Sequence, residues 1–97
     1  MILNSTVKLK SAMNGKVLTM SEGEHKSKPG YLIVTNYTGS MKQKFVICPS
    51  KELFTIRAML NNTAIDVEGK STSVYAPVLC YKLHEEKNQL WKLNKEG

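Results

Sequence analysis

The chain has little of what most function classes require. Its 97 residues include only two cysteines, two histidines and one tryptophan. Cys48 and Cys80 lie in separate segments, and neither belongs to a Cys-x-x-Cys pair. Arithmetic allows one long-range disulfide, and the reading adopted is two free thiols in a reducing compartment. His25 and His84 stand alone, with no HExxH, Walker or nucleophile-elbow pattern around them. His84-Glu85-Glu86 reads as a polar loop, since a metal site needs more ligands at suitable spacing. We therefore expect no enzyme, no metal and no cofactor. No apolar run approaches the roughly 18 residues of a membrane helix. The start, Met1-Ile2-Leu3-Asn4-Ser5-Thr6, has no basic n-region and no sustained apolar stretch, so no secretory signal is expected. The expected location is the cytoplasm, or the exterior by a route without a recognisable signal peptide. On that basis the sequons at Asn4, Asn36 and Asn61 should stay unmodified.

Charge of one sign is in excess. Fourteen basic residues face eight acidic ones, a formal net charge of +6. Arg57 is the single arginine, and the lysines are scattered rather than clustered. Base readout and bidentate phosphate binding favour Arg. Nucleic acid is not the expected partner. The lysines read as a solvated surface that also blunts exposed strand edges. Hydrophobic residues make up 41% of the chain and charged residues 23%, a globular composition. A chain this short forms one domain, and we take 1–97 as that domain.

Helical periodicity is missing too. Short apolar or alternating runs recur about every ten positions, separated by turn residues. They predict strands at Val7–Lys10, Val17–Met20, Tyr31–Thr35, Lys44–Ile47, Phe54–Ala58, Ala64–Val67, Val78–Tyr81 and Leu90–Leu93. The separators are Asn14-Gly15, Pro29-Gly30, Thr38-Gly39-Ser40, Cys48-Pro49-Ser50, Asn61-Asn62 and Glu68-Gly69. Lys82–Gln89 reads as a loop or a single 3₁₀ turn. The fold class is all-β: a sandwich, a barrel or a β-repeat fold.

A repeat narrows the choice. Val7-Lys8-Leu9-Lys10 aligns with Phe54-Thr55-Ile56-Arg57, and Val17–Met20 with Ala64–Val67. Leu32-Ile33-Val34 aligns with Val78-Leu79-Cys80, and Gln43-Lys44-Phe45 with Gln89-Leu90-Trp91. The offset is 47 residues at the start and 46 at the end. Two four-strand units, about 5–50 and 51–97, fill the chain.

A forty-odd-residue unit ending in Gln-x-Trp resembles the ricin-type lectin repeat of β-trefoil proteins. Ala64-Ile65-Asp66-Val67 is similar to that family's Leu-Asp-Val strand. Ala76-Pro77-Val78-Leu79-Cys80-Tyr81 is similar to its Ala/Thr-Pro-Val-x-x-aromatic strand, and Asn88-Gln89-Leu90-Trp91 to its closing motif. The second unit carries the pattern in full and the first in degenerate form. The resemblance implies that Trp91 and Phe45 pack into a shared core while the Gln side chains tie loop backbone. Leu9, Leu18, Ile33, Ile47, Ile56, Ile65, Leu79 and Leu93 are the other core candidates.

The resemblance also implies a sugar site. Asp66 would accept hydrogen bonds from vicinal sugar hydroxyls, Tyr81 would stack on a pyranose, and Asn88 would donate and accept at a hydroxyl. Gln89 would buttress Asp66, and His84 would add a contact from the loop after Tyr81. Each has a plainer alternative: Asp66 as a turn cap beside Glu68-Gly69, Tyr81 as a strand aromatic, Asn88 as a turn former. The family often has a polar residue where Leu79 stands, two before the aromatic. In the first unit Thr19, Thr35 and Lys42 occupy the three positions, so one site per chain is expected. The expected function is a lectin for galactose- or N-acetylgalactosamine-containing glycans. The competing function is a β-trefoil module that binds proteins instead. A complete trefoil has three units and this chain two. The open side should be covered by self-association, a homodimer first and a higher oligomer second.

Overall fold

The computed structural model describes residues 5–93, so the Asn4 sequon lies outside the described residues. Seven strands fall within that stretch: β1 (Thr6–Val7), β2 (Val17–Met20), β3 (Leu32–Thr35), β4 (Phe45–Ser50), β5 (Leu53–Ala58), β6 (Ala64–Val67) and β7 (Val78–Tyr81). Short 3₁₀ turns occupy Glu24–Lys26, Met41–Gln43, Glu68–Lys70 and Lys87–Gln89. The last is the single turn expected between Lys82 and Gln89. Strands β1-β4-β5-β6-β7 form one antiparallel sheet, and β2-β3 a separate hairpin.

Three expectations about the strands need correction, the first being Val7–Lys10, which is strand only over Thr6–Val7 with Lys10 bridged singly to Val17. Cys48-Pro49-Ser50 is strand, not separator, and the reversal falls at Lys51, whose φ is +56°. Proline is tolerated there because Pro49 faces Phe54, whose backbone N–H and C=O both bond to Trp91 instead, at 3.0 and 2.8 Å. The ladder asks nothing of the missing proline N–H. Leu90–Leu93 is not a strand. Among the described residues its backbone pairs with the sheet at one bridge, between Trp91 and Phe54, while the Trp91 Nε1 donates to the Ile65 carbonyl at 3.2 Å and Leu93 is 64% exposed.

The repeat is visible in the hydrogen-bond register. Strand β2 pairs with β3 from Val17↔Thr35 to Met20↔Leu32, and β6 with β7 from Ala64↔Tyr81 to Val67↔Val78. The two ladders superpose residue for residue under the sequence offsets. Gly30 joins them. Its carbonyl accepts the Cys80 N–H at 2.7 Å, its own N–H donates to the Ser21 carbonyl at 2.9 Å, and its φ is +88°. A side chain at that φ would be strained, so glycine holds the junction.

Successive side chains on a strand face opposite ways, and this parity sorts the apolar residues. Met20, Phe45, Ala58 and Ile65 are buried together, with Leu9, Leu18, Leu32, Ile56, Val78, Cys80 and Trp91 among those packed against them. Ile33, Ile47, Leu79 and Leu93, expected in the core, lie outside that cluster. Leu32 replaces Ile33, and Val78 and Cys80 replace Leu79. Cys48 and Cys80 are free thiols. Burial pushes the Cys80 thiol up to about 11, against a smaller lowering by a hydrogen bond with Thr63. No helix among the described residues is long and apolar enough to cross a membrane.

Candidate functional site

The same parity that sends Ile65 and Val78 into the core sends Asp66, Leu79 and Tyr81 to the other face of the β6-β7 ladder. There they line an open cleft of about 420 Å³, together with Glu68, Gly69, Lys70, His84 and Asn88. Asp66 lies at its base, only 3% exposed. A buried carboxylate must be satisfied, and two amides from the 87–89 turn do so. Asn88 Nδ2 donates to Oδ1 and Gln89 Nε2 to Oδ2, each at 2.9 Å. Neither Glu68 nor Gly69 donates to it: the Glu68 N–H goes to the Pro77 carbonyl. The turn-cap alternative for Asp66 therefore has no hydrogen bond behind it.

Gln89 is fully buried and does not line the cleft. Its Oε1 accepts the His84 and Glu85 N–H groups at 2.8 and 3.1 Å, and its Nε2 also donates to the Lys82 carbonyl at 2.7 Å. One side chain thus fixes both the carboxylate and the loop that follows β7. His84 is held over Asp66. Its Nδ1 accepts the Glu86 N–H at 2.9 Å, which leaves Nε2 facing Asp66 Oδ2 at 3.5 Å. The ring meets Tyr81 edge-on, with centroids 6.4 Å apart. Tyr81 is 54% exposed and forms the open wall. Asn88 Nδ2 also reaches the Val67 carbonyl at 3.3 Å, while its Oδ1 is buried without a partner among the described residues.

Asp66, Tyr81, Asn88 and His84 are thus brought to one cleft, with Gln89 beneath it. The far rim was not anticipated. Glu68, Gly69 and Lys70 form it, and Lys70 pairs across to Glu86. The hydrogen bond and charge of Lys70 hold the Glu86 carboxyl below its ordinary range, with a smaller contribution from His84. Glu68-Gly69 carried a signal only as a turn. Its position directly after the Asp66-Val67 pair was the available clue. Leu79, an apolar residue read as core, is instead part of the cleft lining.

The first unit keeps the frame and loses the cleft chemistry. Gln43 is also buried. Its Oε1 accepts the Thr38 N–H at 2.8 Å and its Nε2 donates to the Asn36 carbonyl at 2.8 Å. These partners are the 46-residue counterparts of His84 and Lys82. Thr19, in the place of Asp66, shares a 2.7 Å hydrogen bond with Thr35, in the place of Tyr81. Lys42, in the place of Asn88, pairs with Glu22. Among the described residues, no group of three His, Cys, Asp or Glu side chains could hold a metal ion.

No family model and no curated protein sequence matches the chain. Solved structures do. A designed three-fold symmetric protein, ThreeFoil, has a TM-score of 0.82 at 26% identity, over 99% of this chain and 69% of that one. The lectin of Polyporus squamosus, bound to the human-type influenza-binding epitope Neu5Aca2-6Galb1-4GlcNAc, has a TM-score of 0.82 at 17% identity. PSL1a, in a complex with E64, has a TM-score of 0.81 at 18% identity. This chain spans 34% of the length of each of the latter two. These likenesses, with the all-β architecture, give the fold: the chain is β-trefoil-like.

Proposed function

We propose that the chain is a carbohydrate-binding module, a lectin with one sugar site, formed by Asp66, Tyr81, Asn88 and His84. The observation that carries this reading is the convergence of a buried, amide-held carboxylate and an exposed aromatic ring on one open cleft. A carboxylate held rigid accepts vicinal hydroxyls without first reorganising, and charge-assisted hydrogen bonds contribute about 1.5–3 kcal/mol. The Tyr81 ring offers a flat apolar face to the C–H face of a pyranose. Asn88 lines the cleft and holds Asp66 Oδ1 through its Nδ2. The ricin-type order of Asp, aromatic, Asn and Gln-x-Trp points to galactose or N-acetylgalactosamine. The resemblance in fold to a lectin solved with a galactose-containing epitope agrees with a glycan ligand.

The test is retention on immobilised galactose. The parent chain should be retained and released by free galactose or N-acetylgalactosamine. Asp66→Ala should flow through while keeping its β-type circular dichroism. Equal retention of parent and variant removes Asp66 from the site, and a parent that never binds sugar leaves protein recognition as the function of this surface.

A further inference from the structure

The cleft has one apolar side. Strand β7 supplies it through Leu79 and Tyr81, two residues apart and therefore on one face. Leu79 is the residue directly opposite Asp66 in the β6-β7 ladder. Side chains paired in this way stand about 4.5–5.5 Å apart at Cβ. An isobutyl group thus adjoins the buried carboxylate, where a ligand held by Asp66 must cover it.

The position of Leu79 is fixed by backbone on both edges of β7. On one edge it pairs with Asp66, and on the other it forms an isolated bridge to Tyr31. The next residue, Cys80, donates its N–H to the Gly30 carbonyl at 2.7 Å. Polar groups of the cleft are already engaged elsewhere. Lys70 pairs with Glu86, Asn88 Nδ2 is spent on Asp66 and the Val67 carbonyl, and Gln89 Nε2 on Asp66 and the Lys82 carbonyl.

The ligand chemistry follows. A hydroxyl laid over Leu79 leaves water and finds no hydrogen-bond partner, which is unfavourable. A methyl laid there is favoured by its burial against the isobutyl group. Consider a galactose-type ring with its 3- and 4-hydroxyls on Asp66. Carbons 5 and 6 belong to the C–H face that stacks on Tyr81, roughly 6.7 Å along the strand from Leu79. The substituent at carbon 2 is the group left for Leu79. In galactose it is a hydroxyl, and in N-acetylgalactosamine it is an acetamido group ending in a methyl.

We propose that Leu79 is a specificity-determining residue of the cleft and selects N-acetylgalactosamine over galactose through the acetamido methyl. The proposal rests on the sugar-site reading above and narrows it from two sugars to one.

Isothermal titration calorimetry of the parent chain with N-acetylgalactosamine, N-formylgalactosamine and galactose tests it. N-acetylgalactosamine should bind roughly tenfold tighter than galactose, the scale of one small apolar group in an apolar pocket. The N-formyl sugar keeps the amide and lacks the methyl, so it should lose most of that advantage. Leu79→Gln, which puts an amide beside Asp66, should remove the preference. A purely structural role for Leu79 would weaken both sugars alike and leave their ratio unchanged. Equal binding of the N-acetyl and N-formyl sugars by the parent, or an unchanged ratio in folded Leu79→Gln, overturns the proposal and leaves the sugar site in place. If none of the three sugars binds the parent, the sugar site itself falls and the proposal with it. If Leu79→Gln does not fold, the N-acetyl and N-formyl comparison in the parent decides.

Discussion

At the scale of single residues, Gln89 explains most of the cleft. It is sealed from solvent and spends both ends of its amide on groups that would otherwise be orphaned. Gln43 does the same work in the first unit, where Thr19 stands in place of the carboxylate. Leaving buried groups unpaired costs about 1–3 kcal/mol each. Gln89→Ala and Gln43→Ala should therefore each lower unfolding free energy by roughly 3 kcal/mol, read from urea denaturation. Only Gln89→Ala should also weaken galactose retention, because only Gln89 orients a carboxylate. Equal loss of sugar binding in both variants would make the amide a general support of the fold.

At the scale of elements, the repeat was legible in the sequence and the facing of its strands was not. Offsets of 47 and 46 residues predicted two matched ladders, and the registers of β2-β3 and β6-β7 match under them. Asp66, Tyr81, Asn88 and His84 were legible as a group because their order carries chemistry. Leu32-Ile33-Val34 and Val78-Leu79-Cys80 are apolar throughout, so no alternation marks which residues turn inward. The register decides, and a one-residue error in parity puts Leu79 in the core instead of the cleft. Leu90–Leu93 had the composition of a strand but pairs at one point only. Cys80 offers a check on this parity. Its thiol is pushed up to about 11 from a usual value of 9.0, so it stays protonated at pH 8 and should alkylate slowly in the folded chain. The sign of the linkage follows. Below pH 9 both folded and unfolded chains keep the proton. Between about 9 and 11 the unfolded chain releases it first, so this thiol makes stability fall as pH rises, and the fall should be smaller in Cys80→Ala. Fast alkylation of folded Cys80 at pH 8 would mean that β7 presents it to solvent.

At the scale of the whole molecule, one ladder has two uses. Its inner face builds a core left open on one side, and its outer face carries the cleft. The most direct test of the central claim uses the repeat as its own control. Methyl galactoside is titrated into the ¹⁵N-labelled chain while the side-chain amides of Asn88, Gln89 and Gln43 are followed by NMR. Asn88 and Gln89 should shift together along one saturating curve, and Gln43 should stay in place. Stationary Asn88 and Gln89 signals, or an equal response from Gln43, would contradict a sugar site built on Asp66.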